Sequence, residues 1–245
     1  MTAPATFKPH RLGRLFASDA LNISRDPTLM FATAMSVVPA AAFWLWHGAL
    51  DDAALAAFGV PQFSSYVAPV ALVLPAFLVG WVTGFLMLED RDDGALLAID
   101  VTPVGKVGFL AYRLTITMAF AALITVVAAR LIVADAGWPM ALLFAALVAI
   151  EAACAAFVLP AIASNKVEGL AVTKVLNVAA LVPLVAIVPA PWRYVGGIVP
   201  TYWVGELLGL SSASYLPVGA IVVLALASHA AAAMLLAALF ARRSG

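Results

Sequence analysis

Charge is what this chain has least of. Lys, Arg, Asp and Glu make up 11% of its 245 residues and apolar residues 65%, whereas a soluble domain is roughly a quarter charged. That scarcity excludes an ordinary water-soluble domain. The charges that exist cancel, 13 basic against 13 acidic, so no basic field marks a nucleic-acid surface. The single cysteine, Cys154, excludes an internal disulfide. The three histidines, His10, His47 and His229, are too scattered to read as a metal site. A phosphate-binding loop is missing as well. Gly105-Lys106 has Asp100 where the pattern needs glycine, and Val107 where it needs Ser or Thr. No nucleophile–base pair is arranged by spacing. The expectation is a non-catalytic chain with no cofactor or metal of its own. Residues 1–27 are charged throughout and lack a cleavage-like site, so they do not read as a signal peptide. There are no internal repeats.

What is present is apolar sequence in long runs. A membrane span needs about 20 residues, and six runs qualify, near residues 27–49, 66–88, 107–133, 138–164, 170–188 and 215–241. The fold expected is all-α and integral to the membrane, with six transmembrane helices. With six spans, Arg130 and Arg193 are the only basic residues on one side, and the remaining Lys and Arg lie on the other. The positive-inside rule then places both termini in the cytoplasm of a multi-pass inner-membrane protein. Residues 1–26 form a cytoplasmic amphipathic segment and 27–245 the membrane domain. In the first, Leu12, Leu15, Phe16, Ala20 and Ile23 fall on one helical face and Arg11, Arg14, Ser18, Asn22 and Arg25 on the other, which suits a helix lying in the interface. Asp26 can cap the first span, with Pro27 at its first position. On the outer side, 51–65 reads as a short acidic loop and 134–137 as a tight turn. Residues 189–214 carry Trp192, Tyr194, Tyr202 and Trp203 among prolines and glycines. They are too apolar for a solvated loop and too broken for a span, and read as one or two short re-entrant helices.

Between the second and third runs lies the strongly charged stretch 89–106, EDRDDGALLAIDVTPVGK. It cannot sit in lipid. Glu89, Asp90, Asp92 and Asp93 crowd around Arg91, Gly94 breaks the run, and Ala95 to Ile99 offer a small apolar ridge. Pro103 ends it, because proline disfavours helix just before itself. The reading is a short helix with negative charge at its start, where the dipole favours it. Such a helix is either an ordinary interfacial element or the docking point of a partner.

The order Glu89 to Gly94, Leu96-Leu97, Thr102-Pro103 and Arg113 resembles the E-x-E-x-G-x-L…TP pattern of ABC transporter permeases of the type-2 exporter class. Three further segments resemble it: Arg25-Asp26-Pro27, its elbow-to-first-span junction; residues 163–170 with Lys174, its second cytoplasmic turn; and Pro200 to Trp203, its outer re-entrant region. Asp92-Asp93 depart from the Glu-Arg or Glu-Lys often found there. Within the class the chain is most similar to small, fluoroquinolone-exporter-like drug-export permeases. The resemblance implies an N-terminal elbow helix, a cytoplasmic coupling helix in 89–106 and an outer re-entrant segment. It implies an exporter of a hydrophobic or amphipathic substrate, drug-like or lipid-like. Separate ATPase subunits would bind ATP and Mg, and a second permease copy or homologue would complete a dimer. The coupling residues so implied are Glu89, Asp90, Arg91, Asp93, Gly94, Leu96, Leu97, Asn165 and Glu168.

Two polar residues fall inside apolar runs. Glu151 lies mid-way along the fourth and His229 at a matching depth in the sixth. A charge there costs about 2.5–3.5 kcal/mol on insertion scales, so both should face protein or water. They form either a polar spot in a translocation path or a structural interhelical hydrogen bond. Arg113 and Lys174, near the cytoplasmic face, are expected to snorkel, and Arg130 to do so outward near Asp135. Gly80 and Gly84 permit close helix approach, at a dimer seam or within one subunit. Two other classes remain on the sequence alone. One is a proton-coupled secondary transporter using Glu151 and His229. The other is a non-transporting membrane anchor for a cytoplasmic partner.

Overall fold

The computed structural model describes residues 9–102, 104–133, 137–209 and 214–244; the side chains of 9–12, 96, 97, 100 and 240–244 lie outside that description. Among the described residues the regular structure is helical, without strands. The helices are α1 (Pro9–Arg25), α2 (Pro27–Met35), α3 (Val38–Phe58), α4 (Phe63–Asp92), α5 (Ala95–Asp100), α6 (Gly105–Ile132), α7 (Gly137–Ile162), α8 (Lys166–Leu181), α9 (Tyr202–Leu207) and α10 (Val218–Ser244). Tighter 3-10 turns occupy Val182–Ile187 and Trp192–Ile198. Among the described residues five helices are long and apolar enough to cross a membrane, and α2 with α3 makes a sixth if that pair, bent by 41°, is one span. The protein is a multi-pass membrane protein.

The first span is bent. Pro39, at the start of α3, has no N–H for the preceding turn, and the chain bends at Ser36-Val37. Ser36 Oγ turns back to the Thr33 carbonyl. The helix then runs on through residues expected as an acidic loop, because DDAALAA contains good helix formers. It stops at Gly59, whose φ of 69° suits a left-handed C-cap. Asp51 therefore sits in a helix, where its carboxylate accepts from the Ser64 backbone N–H at 2.6 Å and the Ser64 hydroxyl at 2.8 Å. That closes the connection to α4.

α4 and α7 form the centre of the bundle, each largely buried, with α6 and α10 packed against α7. Gly80 and Gly84 explain the close α4–α7 approach. A Cβ on Gly80 would lie 2.6 Å from the Ala152 carbonyl oxygen, and one on Gly84 2.7 Å from Leu159 Cδ1. Both glycines therefore serve packing within one subunit. Leu72, Phe77, Phe144 and Ala155 fill the core between the two helices. The outer faces of α6, α8 and α10 leave Leu123, Val175 and Leu235 exposed, as a lipid-facing surface requires.

Candidate functional site: the acidic end and its ion pairs

The acidic residues do not begin a helix. Glu89 to Asp92 form the last turn of α4, and Gly94 breaks the chain at φ 71° before α5. Carboxylates at a helix C-terminus meet the negative end of the dipole, which is unfavourable. The expected first-turn placement is thus corrected, and cations from other helices offset the cost. Arg113 on α6 lies 2.7 Å from Asp90 and 3.0 Å from Asp19 on α1. Its side chain is 2% exposed, so it is buried between two carboxylates rather than snorkelling to water. Its guanidinium carbon also stands 4.7 Å from the centre of the Phe109 ring. Burial pushes the Asp19 carboxyl above its ordinary range, and Arg113 pulls it back in part.

Lys166, the first residue of α8, makes the second junction. Its ammonium donates to Glu89 at 2.6 Å and to Asp26 at 2.7 Å. Asp26 in turn caps α2, its Oδ1 accepting from Thr28 N–H at 2.8 Å and Leu29 N–H at 3.2 Å. The Lys166 hydrogen bond, more than burial opposes it, holds the Asp26 carboxyl below the usual range. Arg91 makes the third junction, donating to the Ala163 carbonyl at 3.1 Å and the Pro160 carbonyl at 3.4 Å. Those are terminal α7 carbonyls left without helical partners. The last turn of α4 is thereby tied to α1, α2, α6, α7 and α8.

Asn165 and Glu168 are caps in this structure. Asn165 Oδ1 accepts from the Glu168 N–H at 3.0 Å, and the Glu168 carboxylate accepts from the Ser164 N–H at 2.7 Å. Beside them, Asn22, Arg25, Asp26, Glu89, Asp90 and Asp93 line a polar notch of about 410 Å³. Apolar side chains flank this end: Val101, Val107 and Val167 are each at least 80% exposed. Leu96 and Leu97 have side chains outside the described residues.

Elsewhere, Glu151 Oε1 and His229 Nε2 are 2.9 Å apart, between α7 and α10. At the end opposite the acidic turn, two short helical pieces, Trp192–Ile198 and α9, occupy half of the stretch expected to be re-entrant; residues 210–213 lie outside the described set. There the structure holds a cluster that sequence reasoning missed. Arg193 donates to Glu206 at 3.1 Å, and Tyr202 and Ser214 donate to the same carboxylate at 2.9 and 2.8 Å. The available signal was a charge pair, Arg193 and Glu206, inside an aromatic, otherwise apolar segment. Arg130 stacks over the Trp138 ring at 5.1 Å; Asp135, its expected neighbour, lies outside the described residues.

A family profile described as "Fluoroquinolones export permease protein Rv2686c-like" matches residues 19–241. Two curated relatives from Mycobacterium tuberculosis are each 26% identical over 215 residues. They are the fluoroquinolones export permease proteins MT2760 (strain CDC 1551 / Oshkosh) and Rv2686c (strain ATCC 25618 / H37Rv). Each match covers 83% of this chain and 84% of the relative. No solved structure matches the chain significantly. With nearly all of its membrane-crossing helices inside the matched region, the chain belongs to the Rv2686c-like family of fluoroquinolones export permeases.

Proposed function

We propose that this chain is the transmembrane permease subunit of an ATP-binding-cassette exporter, driven by separate ATPase subunits that dock at the acidic end. Two permease chains, identical or homologous, would form the transport unit in the cytoplasmic membrane with both termini inside. The substrate would be a hydrophobic or amphipathic compound, drug-like as the relatives' names indicate. In this reading α1 is the elbow helix, residues 1–26 and 27–245 are the elbow and membrane domains, 89–106 is the coupling segment and 189–214 dips from the outer face.

One observation carries the reading. The short helix α5 hangs from the turn of α4 that is tied by Arg113, Lys166 and Arg91 to five other helices. A displacement of α5 therefore cannot stay local. The ion pairs move α1, α6 and α8 with α4, while Gly94 gives α5 a defined angle at the junction. The exposed valines offer apolar contact area, and the notch beside Asp93 is suited to a basic side chain from a partner. Asn165 and Glu168 contribute by fixing where α8 begins, which keeps Lys166 in place.

The test is transport. Inside-out vesicles holding the permease and its ATPase should accumulate a fluorescent fluoroquinolone only with ATP and Mg, and a protonophore should leave the uptake intact. Uptake without ATPase, abolished by the protonophore and by Glu151→Gln, would instead establish a proton-coupled carrier.

A further inference from the structure

One strip of α8 does not suit a lipid surface. Lys174 and Asn177 are both exposed there, and neither side chain has a hydrogen bond or ion pair among the described residues. Asn177 lies half-way along the 22-residue span Lys166–Ile187. At 1.5 Å per residue that is about 16 Å from Lys166, near the middle of a hydrocarbon core about 30 Å thick. The outward faces of α6 and α10 meet the same demand internally. Thr115 donates to the Ala111 carbonyl at 2.7 Å and Ser228 to the Ala225 carbonyl at 2.9 Å, each inside its own helix. An asparagine amide carries two donors and an acceptor, and lipid tails satisfy none of them. The strip of α8 around Asn177 therefore needs a polar cover.

The strip also has the spacing of a packing seam. Leu170, Lys174, Asn177 and Leu181 follow one another at intervals of four, three and four residues, which lays them along one line of a helix. Leu170 and Leu181 are each 51% exposed. By helical geometry Val175 points about 160° away from Asn177, onto the lipid side. A single Asn or Lys inside an otherwise apolar seam fixes register and oligomer state in paired helices. Lys174, about one turn nearer the acidic end, can lay its stem in such a seam while its ammonium extends to the head groups, away from its counterpart.

We infer that a second copy of this chain covers the strip, with the two α8 helices packed side by side about a two-fold axis along the membrane normal. The occupant follows from the chemistry. A carboxamide is self-complementary, because its N–H and its carbonyl oxygen each find the opposite group on an identical amide. An axis relating two α8 helices sets each Asn177 against its own counterpart. Two interhelical hydrogen bonds then form with no residue of another kind, the role that Asn plays between membrane helices. Leu170 and Leu181 close the seam on either side of the amides. Copies inserted with the same topology have parallel α8 helices, as this register requires. The inference names identical copies as the pair of the export reading, and rests on that reading only for what the pair does with ATP.

The experiment uses the full-length permease in membranes, expressed without its ATPase. Cys154 is the only cysteine, so Cys154→Ala provides a background for single cysteines. Under copper-phenanthroline oxidation, Leu170→Cys and Leu181→Cys should each give a linked product of twice the permease mass, and Val175→Cys should not. Energy transfer between N-terminally labelled copies, followed on dilution in liposomes, then tests the amide. Lipid tails are as apolar as leucine, so Asn177→Leu should weaken association about tenfold, the worth of the interhelical hydrogen bonds. Asn177→Gln keeps an amide and should associate more tightly than Asn177→Leu. No product from either leucine position, an equal product at Val175, or a link to a polypeptide of different mass would overturn the seam. So would equal association of the parent and the two Asn177 variants, with helicity unchanged. Pairing through α8 without ATP-driven transport would refute the export reading alone. ATP-driven transport by a permease that gives neither cross-link would refute the seam alone.

Discussion

The two ends of this bundle both bury an arginine against carboxylate, Arg113 against two and Arg193 against one, yet they are wired differently. At the acidic end the partners come from far apart in the chain. Lys166 reaches Asp26 across 140 positions, Arg113 reaches Asp19 across 94, and Arg91 reaches Ala163 across 72. At the opposite end Arg193, Tyr202 and Ser214 reach Glu206 across 13, 4 and 8 positions. The first cluster joins helices into one body, whereas the second closes a short segment on itself.

The contrast is broken or sharpened most strongly at these two arginines. Arg113→Ala leaves Asp19 and Asp90 partly buried without their cation, and should cost about 3 kcal/mol of stability, the lower end for a broken buried pair. Denaturant unfolding in detergent measures this. Combining it with Asp19→Asn and Asp90→Asn should recover much of the loss. A variant as stable as the parent would mean that this end is not stitched as described. Arg193→Ala should cost a similar amount, about 3–5 kcal/mol, since Glu206 is 3% exposed and keeps two hydroxyl donors but no cation. Hydrogen exchange should show lost protection confined to residues 182–209, and loss spreading into α4 or α6 would erase the distinction between the ends.

Smaller effects refine the picture. Asn165→Ala removes a cap and should cost about 1 kcal/mol, read from the same unfolding curves. Lys166→Ala should cost no more than about 1 kcal/mol, because that side chain is 38% exposed and partly screened. Its pH signature is more specific. The Asp26 carboxyl is held below its ordinary value of 3.8. Its contribution is therefore present above that value and lost as the pH falls through the lowered one. Acid titration of the parent should show this loss, and Lys166→Ala should flatten it.

Much of the bundle was legible in the sequence because hydrocarbon permits few solutions. Apolar runs near 66–88, 107–133 and 138–164 match α4, α6 and α7 within several residues at each end. Asp26-Pro27 gave the start of α2 from capping chemistry alone. The 51–58 region was misread because two aspartates suggested water, although the residues around them favour helix. The acidic turn was misread for a related reason. A run of carboxylates fits a helix start on dipole grounds, and only the distant cations Arg113 and Lys166 make the opposite end tolerable. Pairings across 23 and 77 positions, Arg113 with Asp90 and Lys166 with Glu89, have no local signature. Glu151 and His229 were recognisable by depth, but the pairing of Glu151 Oε1 with His229 Nε2 is visible only in three dimensions.

The central claim is that the acidic end is where a separate ATPase takes hold. Replacing Leu96 and Leu97 together by aspartate puts two charges on α5 and leaves the residues of the three junctions unsubstituted. The ATPase made by the same cell should then fail to co-purify with a permease whose helicity and unfolding midpoint are unchanged. Retention of the ATPase at parental stoichiometry on that folded variant would contradict the account.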